Sequence, residues 1–70
     1  MESTKEVRIN QLRKEIELLK RRVNTQEAHL NYLVICDFSE QMINNCSDKL
    51  DNLYSELKEK ELLLINVMAD

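Results

Sequence analysis

From Ile9 onward the apolar residues of this chain recur at alternating spacings of three and four: Ile9, Leu12, Ile16, Leu19, Val23, then Gln26, Leu30 and Leu33. With Ile9 at heptad position a, the a sites are Ile9, Ile16, Val23 and Leu30. The d sites are Leu12, Leu19, Gln26 and Leu33. Every site but Gln26 is aliphatic, the signature of a helix that pairs along one seam with a neighbour. A second run places Ile43, Leu50, Leu57 and Leu64 at a, and Cys46, Leu53, Lys60 and Val67 at d. The two runs predict an all-α protein with two segments in one elongated unit, an N-terminal coiled-coil segment over 5–33 and a C-terminal coiled-coil or bundle segment over 34–70.

The runs are out of phase. Continuing the first puts position a at residue 37, whereas continuing the second backwards puts it at residue 36. The step falls near residues 33–39, where a supercoil would overwind locally or the number of neighbouring helices would change. The chain has no glycine and no proline, the residues that usually mark turns and helix ends. That absence predicts a long, nearly continuous or gently kinked helix rather than a tight hairpin, assembled into an oligomeric coiled coil or bundle. If the chain does bend, Asp37 and Ser39 are acceptable N-caps for a second helix. Ser3 or Thr4, followed by Glu6, marks the start of the first.

The C-terminal end departs from a single stripe. Leu62, Leu63, Leu64, Ile65, Val67 and Met68 point to nearly every side of a helix, whereas a two-stranded coil covers only Leu64 and Val67. Burying a side chain of this size is worth about 1.5–3 kcal/mol. This end therefore predicts more than one neighbouring helix.

Composition sharpens the picture. Aromatic residues are 4% of 70 residues and charged ones 33%, and a core in so short a chain is marginal even when compact. Stable folding is expected to depend on other chains, either copies of itself or other coiled-coil subunits. Residues 1–35 hold seven Lys/Arg against five Asp/Glu, a charge of +2, and residues 36–70 hold three against eight, a charge of −5; together they give the formal −3. Such a dipolar rod favours antiparallel or head-to-tail contact, or a different partner at each end. Parallel self-pairing of the first half is also open, with Glu15 facing Lys20 and Arg22 facing Glu27 across the seam.

Little here carries chemistry. One His, no Gly-rich turn and no fold able to enclose a substrate predict a non-enzyme with no catalytic residue, cofactor, metal site or small-molecule substrate. His29 lacks companion ligands at useful spacing, and Glu56 with Lys60 reads as an i,i+4 surface pair. Lys20-Arg21-Arg22 interleaves with the heptads instead of preceding them, unlike a zipper's basic region, so no nucleic acid is expected. Cys36 and Cys46, about 15 Å apart on a continuous helix, read as reduced thiols serving as small apolar groups; a crosslink between chains at Cys46 is the alternative. Asn45-Cys46-Ser47 has the form of a glycosylation acceptor without a secretory signal to use it. No run approaches the roughly 18 apolar residues of a membrane span, Met1-Glu2-Ser3 opens no signal region, and Glu2 stands where N-myristoylation requires glycine. A cytoplasmic setting is expected, with a nuclear one compatible. Gln26 at d either lowers stability modestly or fixes register and strand number; Lys60 at d is expected to snorkel along its stem.

Asp37-Phe38, Cys46 eight residues later, Lys49-Leu50, then Leu53, Leu57, Glu61 and Leu64 form a run in the C-terminal half. It resembles the small coiled-coil subunits of actin-nucleation-promoting complexes, the Brick subunit of the WAVE complex and its counterpart in the WASH complex. Met42 stands where that family usually has a second Phe, and the basic heptads of 5–30 have no clear counterpart in it. The resemblance implies a scaffold helix that bundles with longer subunits and supports a regulator of branched-actin nucleation. Phe38, Met42, Cys46, Leu50, Leu53, Leu57 and Leu64 would then line the seam. The expectation is thus a non-enzymatic scaffold or assembly subunit of a multi-protein complex. The alternatives are a self-contained homo-oligomerising adaptor, or a short tether in a kinetochore, vesicle or chromatin assembly.

Overall fold

The computed structural model describes residues 3–69. Met1, Glu2 and Asp70, and with them the reading of the chain's first residues, lie outside the described residues. Two helices account for nearly all of the rest: α1, Thr4–Ile35, and α2, Glu40–Ala69. They pair with each other, and the partners fix the direction. Glu15 meets Lys60 and Gln26 meets Cys46, so residues early in α1 face residues late in α2, as in an antiparallel hairpin.

The all-α expectation holds, and the phase step near 33–39 marks where the chain changes course. The expected near-continuous helix does not: α1 stops at Ile35 and the chain reverses. The stop is a Schellman motif, which satisfies the last carbonyls of a helix with amides from beyond its end. Phe38 N–H donates to the Leu33 carbonyl at 3.0 Å and Asp37 N–H to the Val34 carbonyl at 3.2 Å. The motif needs a left-handed residue after the C-cap, usually glycine, and here Asp37 takes it with φ 56°. Asp tolerates this region better than most side chains do. The Phe38 ring, 5.7 Å from that of Tyr32, covers the turn with the apolar contact that accompanies such caps. Once the chain reverses, the two runs no longer share one helix, and their phases have no reason to agree.

Both helix starts are capped by serine. Ser3 Oγ accepts from Glu6 N–H at 3.1 Å, and Ser39 Oγ accepts from Met42 N–H at 3.4 Å, each satisfying a first-turn amide. The result is a rod 54 × 17 × 12 Å across with a radius of gyration of 16.1 Å, where a globular chain of this length would have about 11 Å.

The seam follows the heptads. Leu12, Ile16, Leu19, Val23 and Leu33 of α1 and Cys46 and Leu50 of α2 are buried. Ile9, Gln26, Leu30, Ile43, Leu53, Leu57, Lys60, Leu64 and Val67 are half-buried along the same line.

Candidate interaction surface

The seventeen residues expected to form a partner interface fall into two groups. Fifteen sit along the intrachain seam, where one helix covers the other. Phe38 and Met42 do not: they are 37% and 46% exposed, Phe38 in the connection after α1 and Met42 in the first turn of α2.

The seam's two discordant d residues find partners within the chain. Lys60 is half-buried and its Nζ lies 3.2 Å from Glu15 Oε2 across the hairpin. Its stem thus covers the seam while its charge stays at the rim. Within the chain Glu15 is directed to Lys60. The pair is partly exposed, so it contributes only a few tenths of a kcal/mol. Gln26 sits opposite Cys46: its Nε2 donates to Sγ at 3.6 Å, and the thiol donates to the Gln26 backbone carbonyl at 3.8 Å. These are long, weak contacts, but they place a polar d residue against the smallest, most polarisable d residue of the other helix. Both cysteines are free; Cys46 is the small buried group expected, whereas Cys36 is exposed at the end of α1.

The seam is open on both flanks. On one, a groove of 380 Å³ lies beside Ile16 and Leu64, rimmed by Arg13, Glu17 and Lys20, and on the other the opening runs further along the hairpin. Three adjoining grooves of 350, 320 and 340 Å³ share Gln26 as a common wall. Leu18, Thr25 and Leu53 line them at one end and Leu33, Met42 and Cys46 at the other. Arg21, Arg22 and His29 rim them from α1, Lys49 and Glu56 from α2. Leu18 and Thr25 escaped the heptad reading because they lie at position c, outside a two-stranded seam. The repeated c positions Leu18, Thr25 and Tyr32 were the signal for a second, wider stripe. Thr25 Oγ1 donates to the Arg21 carbonyl at 3.0 Å, so its hydroxyl is spent on the backbone and its methyl is left for contact.

A second exposed apolar region lies at the far end of α2, where Leu62, Leu63, Ile65 and Met68 are 53%, 38%, 60% and 52% exposed. Leu64 and Val67 alone turn into the seam. Among the described residues no cluster of three His, Cys, Asp or Glu is placed to hold a metal ion, and no helix is long and apolar enough to cross a membrane. Comparison with family models, curated proteins and solved structures gave no match.

Proposed function

We propose that this chain is a non-enzymatic helical interaction module, an assembly subunit that presents a preformed helix pair to other helices. The carrying observation is the end of α2: Leu62, Leu63, Ile65 and Met68 surround it, and α1 reaches only Leu64 and Val67. A contiguous exposed apolar patch of this kind on a small protein marks a contact site. Burial of four such side chains on a neighbouring subunit is worth several kcal/mol, enough to hold an assembly together.

The test is the native size of the tagged chain in extracts of the cells that make it. It should migrate in a particle well above twice 8.3 kDa, and Ile65→Glu or Met68→Glu should release it. Migration unchanged by either substitution would sink the reading.

The narrower reading, a subunit of an actin-nucleation regulator, is supported by the Asp37–Leu64 run alone. A filament-branching assay with and without the chain decides it: no change in branch density removes this partner class and leaves the module reading standing.

A further inference from the structure

We infer that the longer-grooved side of the hairpin is covered by a second copy of this chain. The product is a four-helix bundle in which α1 of each copy lies against α2 of the other. The inference rests on the module reading above and names the occupant of one face of it.

Surface area sets the scale. A compact protein of this mass exposes about 4,600 Å², whereas this chain exposes 5601 Å². The excess of about 1,000 Å² is close to the roughly 800 Å² that each partner contributes to a stable protein interface. One further neighbour of the chain's own size is enough to remove it.

Charge then selects the occupant and its orientation. The half containing α1 carries +2 and the half containing α2 carries −5, and the groove runs between them. At the groove itself α1 presents Arg21 and Arg22 and α2 presents Lys49 with Glu56. A complementary partner must therefore keep its own basic helix off α1 and bring a carboxylate to it. The same hairpin, turned about a two-fold axis, does so with α2 and Glu56. With α1 against α2 of the other copy, all four neighbouring helix pairs join unlike charges, and like helices lie on the diagonals. The opposite arrangement would set acidic α2 against acidic α2. The groove floor suits such a partner: Leu18 is 54% exposed and Met42 46%, Leu18 beside the half-buried Leu53 and Gln26 and Met42 beside Gln26 and the buried Leu33. Each position is one that a third and fourth helix would bury.

Sedimentation equilibrium or light scattering over a concentration series, read with far-ultraviolet circular dichroism, tests this. The expected result is a mass of twice 8.3 kDa, with Leu18→Glu weakening self-association about a hundredfold through burial of an unpaired charge. Met42→Glu should act in the same direction, whereas Ile65→Glu, away from the groove, should stay within about threefold. Should Leu18→Glu fail to fold, the paired reversal Arg21→Glu with Arg22→Glu carries the test: about tenfold weaker association at low salt, with the deficit shrinking as salt rises. No effect of that reversal would overturn the α1-on-α2 arrangement. A larger effect from Ile65→Glu than from Leu18→Glu, or a particle of three or more copies, would overturn the assigned face. A monomer with little helix would overturn the second copy and leave the module reading with another chain as partner. A monomer that is fully helical and melts cooperatively would overturn both.

Discussion

The two helices share one seam but are covered unequally. α1 buries five side chains, Leu12, Ile16, Leu19, Val23 and Leu33, whereas α2 buries only Cys46 and Leu50. The difference lies in the width of the apolar stripe. Apart from Val7, Leu18, Tyr32, Val34 and Ile35, which stay exposed, the large apolar residues of α1 keep to a and d, and one neighbour is wide enough to cover them. On α2 the apolar residues spread to Tyr54, Leu62, Leu63, Ile65 and Met68, and one neighbour is not. A narrow stripe is complete within the hairpin, and a wide one is complete only when a further helix arrives. α1 thus contributes most to the hairpin itself, while α2 contributes most to what the hairpin joins.

Truncations on the two helices should separate these roles. Leu12→Ala or Leu19→Ala, at sites only 1% and 4% exposed, should cost about 2–5 kcal/mol in urea unfolding. Leu57→Ala on α2 is half-buried and should cost about half as much. Equal losses would mean that α2 is covered more completely than the hairpin alone covers it.

Gln26→Leu replaces the polar side chain opposite Cys46. It should raise the unfolding midpoint by an amount equivalent to about 1 kcal/mol while broadening the distribution of assembled species in light scattering, if the amide sets the register. A gain in stability with a single unchanged species would show that Gln26 has no part in register. Asp37→Gly should add about 0.5–1 kcal/mol by removing the side chain from a left-handed residue. A loss would point to a role for the carboxylate itself. The smallest change is expected from Glu15→Gln, which removes the ion pair with Lys60: under about 0.5 kcal/mol, and vanishing at high salt.

These sites also mark how far the sequence could be read. The heptads placed all sixteen a and d residues, and every one of them is at least half-buried, because seam contact depends on periodicity whether the neighbour is another chain or the other half of this one. What periodicity does not carry is the identity of that neighbour. The reversal was missed because the position after the C-cap, ordinarily glycine, is Asp37, and a turn built from backbone hydrogen bonds and one aromatic contact leaves no glycine or proline to mark it. Ser39 as the second cap was legible, since its hydroxyl is of the type that caps helices. The grooved face was not, because Leu18 and Thr25 lie outside the two-stranded repeat and gain significance only when α2 is placed beside them.

The reversal at Asp37 also decides where the molecule can be tethered. A straight helix from Thr4 to Ala69 would hold those residues about 100 Å apart; folded back, they share one extremity, and the Tyr32–Phe38 ring pair occupies the other, across a 54 Å strut. Dyes attached at Thr4 and Ala69 should therefore exchange energy efficiently, and anything fused near either of them would emerge from the same side, leaving the aromatic knuckle to probe the opposite one.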